Sequence, residues 1–348
     1  MPPTDMDRVA VLAHEKFPGR AKTAVGILRY ADYEVVAVLD RDHAGSAVTD
    51  HVPDVQDAPI VPSMADAPAC DALIVGISPI GGAFEESWRP DVRTALERGC
   101  DVVAGLHYFL GEDEEFARLA EHNGAALWDV RRPPGDLGVA EGVADEVRAD
   151  VALTVGTDCS SGKMTTTMEL ARAARERGID AAVVPTGQTG ILIEGWGIAV
   201  DRVIADFAAG AVEQMILREG DRDLLLVEGQ GSILHPAYSG VTASILHGAM
   251  PDALVLCHVA GRGAIHGYED TAIPDPETCV DLYESLAAPV HEGGVAAGSL
   301  ATHGIDSDGG ARDAIDAFGD AIDAPATDPV RFDPDALLDG VLESIGRS

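Results

Sequence analysis

With 348 residues and an apolar content ordinary for a globular protein, the chain is long enough for two domains that each bury a core. Fifty-nine acidic residues against 24 basic ones leave a formal net charge of −35 and no basic stripe to neutralise phosphates, which excludes nucleic acid as a partner. No apolar run reaches the roughly 18 residues of a bilayer span, and the opening MPPTDMDRVAVLAHE lacks the basic region and apolar core of a signal peptide, so a cytoplasmic protein with no membrane partner is expected.

Residues 8–14 (RVAVLAH) and 34–40 (EVVAVLD) read as buried strands flanking a helix from Lys22 to Ala31. DALIVGIS (71–78), a helix near 89–98, DVVAG (101–105), a helix near 113–122 and ALWDV (126–130) continue the alternation. Strand and helix in turn predict an α/β fold with a doubly wound, Rossmann-like parallel sheet. The first turn, HEKFPGRAKTAVG, carries no G-x-G-x-x-G, which weakens a dinucleotide reading. Lys22 and Thr23 open the next helix, either as an anion site or, more simply, as a helix cap.

RRPPGDLG (131–138) breaks the pattern and the polar EGVADEVRAD (141–150) follows it. A domain boundary is placed here, giving a first domain over 1–140 and a second over 141–348. Arg131 and Arg132 end the first domain, where a cleft with the second would lie; they are candidates for holding a substrate carboxylate, with plain surface arginines as the alternative.

The second domain opens on VALTVGTDCSSGKMTTTMEL (151–170). A β-branched strand, a glycine-bounded loop, a lysine and a helix make a phosphate cradle, in which main-chain amides, the helix dipole and the lysine charge all favour an anion. The common form is G-x-x-x-x-G-K-[ST]; here the spacer has one more residue and Met164 follows the lysine. The residues expected to hold a phosphorylated ligand are Gly156, Thr157, Asp158, Cys159, Ser160, Ser161, Gly162, Lys163, Met164 and Thr165. Cys159 is either a nucleophile or a small packing residue. The five cysteines are odd in number, scattered and without a C-x-x-C pair, which argues against a disulfide framework and a structural zinc; no metal is expected.

AAVVPTGQTGIL (181–192) reads as a strand ending in a tight turn, and its end makes Gln188 and Thr189 candidate substrate contacts. A helix from about Ile198 to Arg218 follows, with Val200, Val203, Ile204, Phe207, Ala211 and Met215 as its core stripe and Asp206 as a candidate facing the cleft. DLLLVEGQGSILHP (223–236) gives a strand presenting Glu228, either a ligand or metal-water contact or a cap for nearby amides. DALVLCHVAGRG (252–263) ends in His258 and Arg262. His235, His247 and His258 each follow an apolar stretch, and one of them is expected to act as acid or base. A further strand beginning near 289–294 and a closing helix complete the chain, the helix capped by Asp333 and Pro334 and carrying Leu337, Leu338, Val341, Leu342 and Ile345. The acidic residues are spread along the chain, which suits a solvated shell in a salt-rich, halophilic cytoplasm; a basic-surfaced partner is the alternative.

GTDCSSGKMTT, PTGQTGI, AVDRVIADFAAGA, VEGQGSILHPAYSGVT and LHGAMPDALVLCH resemble, block by block, a family catalogued as a domain of unknown function whose characterised members are D-glutamate N-acetyltransferases (DgcN-like). KTAVGILRY, GLHYFLGEDEEF and DVRRPP are similar to the family's first domain, so the resemblance runs from about Val9 to His258. The phosphate loop and VEGQGS also resemble dethiobiotin synthetase, whose loop shares the GTD start and the five-residue spacer. The resemblance implies a Rossmann-like domain followed by a P-loop NTPase-like parallel-sheet domain, with acetyl-CoA as donor and a D-amino acid, chiefly D-glutamate, as acceptor.

Met164 bears on the chemistry. Phosphate-loop nucleotidases place a hydroxyl after the lysine to hold Mg²⁺, and a thioether is a poor ligand for that hard ion. Acetyl-CoA carries a diphosphate and needs no magnesium for acyl transfer, whereas a Mg-ATP-dependent ligase would need Thr165 to slip into the metal position. A non-catalytic nucleotide-binding protein is the third alternative. On the acyl-transfer reading Lys163 neutralises the diphosphate and Glu228 or His258 takes the proton of the attacking amine. Gln188 or the loop amides meet the oxyanion, and Arg262, or Arg131 and Arg132, hold the carboxylates, with Thr189, Asp206 and His235 as further substrate contacts. A homo-oligomer acting on a small molecule is expected.

Overall fold

The computed structural model describes residues 6–77, 79 and 82–347; Met1–Asp5, part of the opening stretch read above, and Ser78, the last residue of the strand expected over 71–78, lie outside the described residues. The chain divides into two compact units, one of residues up to Pro133 together with Gln188–Arg202, the other of Pro134–Gly187 with Val203 onward.

The first unit is built on β1 (Arg8–Leu12), β2 (Glu34–Leu39), β3 (Ile60–Val61), β4 (Ala72–Val75), β5 (Asp101–Ala104) and β6 (Leu127–Asp129), all parallel, in the order β3-β2-β1-β4-β5-β6. Almost every residue of β1, β2, β4 and β5 is buried, so both faces of the sheet are covered, which is why these strands read as unbroken apolar runs. Helices α1 (Lys22–Tyr30), α2 (Arg89–Glu97) and α3 (Glu114–Asn123) alternate with them. Asp113 starts α3 by accepting the amides of Glu115 and Phe116, and Gly124 in the left-handed region ends it. This is the Rossmann-like architecture, with its switch point between β1 and β4. The turn after β1 is filled by a buried His14, 3.0 Å from Asp91, rather than by a glycine fingerprint. The cap expected at Lys22 and Thr23 is not formed: α1 has no side-chain cap, and the Thr23 hydroxyl instead meets that of Thr189 at 2.8 Å.

The second unit starts at the linker, where the buried Glu213 carboxylate gathers the amides of Glu141, Gly142 and Val143. Its sheet is β7 (Asp150–Gly156), β8 (Ala181–Val184), β9 (Leu224–Val227), β10 (Ala253–Val259), β13 (Gly294–Ala301) and β14 (Ala326–Thr327), parallel, in the order β14-β13-β10-β7-β9-β8. Between them run α4 (Lys163–Glu176), α6 (Ala205–Glu219), α7 (Ser239–Ala249), α8 (Pro276–Ala287), α9 (Asp308–Ile322) and α10 (Asp335–Ser344), with a small hairpin of β11 (Ala264–Ile265) and β12 (Tyr268–Ala272). The chain goes to β8 and β9 on one side of β7 and to β10, β13 and β14 on the other, so the loop leaving β7 lies at the switch point where α/β sheets bind ligands.

Two expectations change here. Residues 188–192 are not a turn: they open α5 (Gln188–Glu194), and the whole segment Gln188–Arg202, which chain order assigns to the second domain, packs within the first unit. The helix expected over 198–218 is a short turn at Val200–Arg202 and then α6 from Ala205. The break falls where the chain returns to the second unit, and Ile204, expected in the core stripe, is exposed there.

Candidate functional site

The loop after β7 curls through left-handed φ angles at Ser160 (51°) and Gly162 (95°), the backbone alternation that makes an anion-holding concavity. Lys163 is buried, its ammonium donating to the carbonyl of Asp158 at 2.8 Å and to Ser161 Oγ at 3.3 Å. A Cβ on Gly156 would stand 2.4 Å from Ser161 Oγ and 2.9 Å from Lys163 Nζ, so the lysine lies back along the loop only because that residue is glycine. Met164 and Thr165 occupy the first turn of α4. The two threonines after them are turned into the unit, Thr166 to Ser299 at 2.8 Å and Thr167 to Thr154 at 2.9 Å.

Around this cradle the structure gathers several of the expected residues. Asp158 is fully buried and accepts from Cys159 N on one oxygen and from Arg262 Nη1 (3.1 Å) and His266 N (2.9 Å) on the other. Arg262 Nη1 also donates to the Cys159 carbonyl at 2.8 Å. His258 Nδ1 lies 2.7 Å from Thr157 Oγ1 with its ring stacked on Phe318. Burial, then the charge of Arg262, pushes the His258 pKa below the usual imidazole value, so its ring is neutral at neutral pH. Glu228 is buried at the end of β9, where its carboxylate accepts from Gly187 N at 3.1 Å. The following Gly229 donates to Thr154, and a Cβ there would stand 3.3 Å from the Lys163 stem, so it is the glycine after Glu228 that lies against the lysine.

Ligand atoms of Asp158, Cys159 and His235 come within 4.8 Å of one another. They make a poor cation site. His235 Nδ1 accepts from Ala237 N, which leaves the ring proton on Nε2, and a guanidinium already sits on Asp158. His247 is structural, bonding the Leu286 carbonyl at 2.9 Å. Asp206 is exposed in the first turn of α6.

The remaining candidates lie in the first unit. Gln188 packs against Gly105, whose hypothetical Cβ would meet the Gln188 Cβ at 2.8 Å. Arg131 donates from Nε to the carbonyl of the same Gly105 at 2.8 Å and pairs through Nη1 with Asp201. It is nearly buried, so neither a surface role nor a free carboxylate clamp describes it. Arg132 is exposed, with Glu112 at 3.0 Å and the ring of Phe109 under its guanidinium.

Three residues were left without a role by the sequence. Tyr283 of α8 is fully buried, its hydroxyl donating to the Gly156 carbonyl at 2.7 Å and accepting from Ile233 N at 3.3 Å, so it ties the phosphate loop to the segment after Glu228. Burial pushes its pKa up to about 12, keeping it a donor. His107 and Asp201 lie within the blocks GLHYFLGEDEEF and AVDRVIADFAAGA, but nothing in either block pairs them; the fold sets them 3.8 Å apart.

Comparison with known proteins places both units. Residues 138–338 match a family described as "Domain of unknown function (DUF1611_C) P-loop domain", and residues 41–133 match the companion "Rossmann-like domain". A crystal structure of a DUF1611 family protein from Anabaena variabilis is similar over 97% of this chain and 99% of its own, with 39% identity and a TM-score of 0.92. Two curated relatives are named D-glutamate N-acetyltransferase. One, from Tritonibacter scottomollicae, is 41% identical over 64% of this chain and 66% of its own length. The other, from a Pseudoalteromonas species, is 35% identical over 76% and 80%. Among the described residues no helix is long and apolar enough to cross a membrane.

Proposed function

This chain belongs to the DUF1611 family of paired Rossmann-like and P-loop domains, and from that membership we propose that it is an N-acetyltransferase that moves the acetyl group of acetyl-CoA to the amine of a D-amino acid, D-glutamate foremost. The names of the two curated relatives support the reaction and the acceptor. The observation that carries the donor is the loop itself: a glycine cradle closed by Lys163, with Met164 where a magnesium-dependent nucleotidase has its metal-binding hydroxyl. Such a loop suits a diphosphate that arrives without a metal, and the diphosphate of CoA is one.

In the reaction the amine lone pair attacks the thioester carbonyl, the carbon–sulfur bond breaks, and the departing thiolate takes up the proton that the amine gives off. The thirteen bonds from the nearer phosphorus to the sulfur of CoA span about 15 Å when extended. The residues at the loop therefore serve the nucleotide end. Lys163 and Arg262 bring positive charge to the phosphates, Thr157 is held by His258, and Tyr283 fixes the floor. This length takes His258 and Glu228 away from the reacting carbonyl and gives them the task of shaping the cradle.

Heat stability of the purified protein tests the donor. Saturating acetyl-CoA at about 100 times its Kd stabilises by roughly 2.7 kcal/mol, and the gain persists in a chelator of divalent ions. Release of free thiol with D-glutamate as acceptor tests the transfer. Stabilisation by Mg-ATP alone, with no thiol released, would overturn the reading.

A further inference from the structure

We propose that the first unit carries the acceptor site, in which Arg132 and Arg202, both against the ring of Phe109, take the carboxylates of an acidic amino acid while Asp201 and His107 take its amine. This rests on the acetyl-transfer reading above and names the residues that select its acceptor.

Two pairs of chain neighbours, 131–132 and 201–202, are brought side by side. The inner members, Arg131 and Asp201, form the ion pair that joins the segments, with Arg131 further anchored on the Gly105 carbonyl. The outer members, Arg132 and Arg202, are exposed and converge on one aromatic ring, 4.4 and 5.1 Å from its centroid. A guanidinium resting on an aromatic face keeps its N–H edge pointing outward, the geometry that meets a carboxylate through two hydrogen bonds. Arg132 has an exposed partner in Glu112 at 3.0 Å and the buried Asp129 carboxylate at 3.9 Å; the exposed pair contributes little and yields readily to a ligand, and the longer contact to Asp129 leaves the outer guanidinium edge available. In a chain of net charge −35, two guanidiniums over one ring gather positive charge that draws an anionic substrate.

The amine end is equally specific. His107 Nε2 and Asp201 Oδ2 stand 3.8 Å apart, too far for a hydrogen bond but spaced so that one ammonium between them donates to both. Burial, then the charge of Arg131, lowers the His107 pKa, so the ring is neutral and able to accept a proton. Its position is fixed from below by Gly82, whose carbonyl accepts the His107 amide and whose missing Cβ would otherwise fall 2.3 Å from the ring. His107 Nε2 takes one proton from the substrate ammonium. The freed lone pair forms the amide bond, the second proton lost by that nitrogen goes to the CoA thiolate as the carbon–sulfur bond breaks, and His107 releases the first to solvent.

Binding of D-glutamate to the full-length protein, measured by titration calorimetry, is the test, with acetylation kinetics alongside. Arg132→Ala and Arg202→Ala each weaken D-glutamate binding by about tenfold and the double variant by about a hundredfold, while the KM for acetyl-CoA stays within twofold. His107→Gln lowers kcat by about a hundredfold with D-glutamate affinity nearly kept, and removes the acid limb of the pH–rate profile. A double variant that binds D-glutamate within twofold of the wild type, or an unchanged kcat in His107→Gln, overturns the site. Arginine-dependent binding without acetyl transfer keeps the site and sinks the acetyl-transfer reading. Acetyl transfer with an unchanged acceptor KM in the double variant does the reverse.

Discussion

Asp158 and Arg262, 104 residues apart, meet as a 3.1 Å ion pair at the phosphate loop, and the acid is fully buried. An acidic residue inside an anion cradle looks misplaced until this pairing is seen. Its charge is matched by Arg262 and by the amides of Cys159 and His266, so its effect is to hold a guanidinium and the start of the β11–β12 hairpin against the loop. Replacing Asp158 with Ala strands Arg262 and two amides, at a cost on the order of 3 kcal/mol. Thermal melts should show a drop of several degrees; an unchanged Tm would mean the pair contributes no net stability. Arg262→Ala leaves the buried carboxylate without its counter-charge, so it should cost a similar amount of stability and raise the Kd for CoA about tenfold.

Lys163→Ala should remove most of the stabilisation by acetyl-CoA while leaving D-glutamate binding intact, because the lysine lies in the second unit and the proposed acceptor groups lie in the first. A loss of roughly 2–3 kcal/mol of CoA affinity, or about thirtyfold to 150-fold in Kd, is the expected size for a charge-assisted contact. Calorimetry with each ligand separately makes the comparison.

Tyr283→Phe keeps the ring and removes only the hydroxyl between Gly156 and Ile233. The Ile233 amide is then left without its partner, costing about 1–2 kcal/mol. A Tm fall of a few degrees together with weaker CoA binding is expected. A lower Tm with unchanged CoA affinity would restrict Tyr283 to folding.

Stability should depend on pH through His258, which faces Thr157, Phe318, Arg262 and Asp158. Its folded pKa lies below the unfolded value, so the unfolded chain binds the proton more readily. The neutral ring's contribution is present above the unfolded pKa of about 6.5 and fades as pH falls through and below that value. His107 shifts in the same direction. Melts between pH 7.5 and 5 should show Tm falling toward acid, and His258→Gln should flatten that slope; an equally steep slope in the variant would remove His258 as its source.

Cys70 should react with iodoacetamide at pH 7.5 before the buried Cys257 and Cys279. A hydrogen bond from Cys100, 4.0 Å away, and the nearby Arg98 lower its pKa to about 7, whereas burial pushes Cys257 and Cys279 up to about 11. Peptide mapping after short labelling reads the order directly.

The sequence by itself determined the two parallel sheets and the phosphate loop. Both are local in origin: strands covered on both faces must be continuous apolar runs, and a cradle made of backbone needs glycine and lysine at fixed spacing on one stretch of chain. The order of strands, the lodging of Gln188–Arg202 in the first unit and the reach of Tyr283 to Gly156 were decided only by the tertiary structure. Those features join residues tens to more than a hundred positions apart, and a side chain's partner across such a separation leaves no periodicity to read. Arg131 makes the point: a clamp or surface arginine by its position in the chain, it is buried in the fold by Asp201, and its neighbour Arg132 is left beside Arg202 on Phe109. Local pattern fixes what an element is, because hydrophobicity and backbone freedom act over a few residues; which charges face each other depends on where the finished sheets carry them.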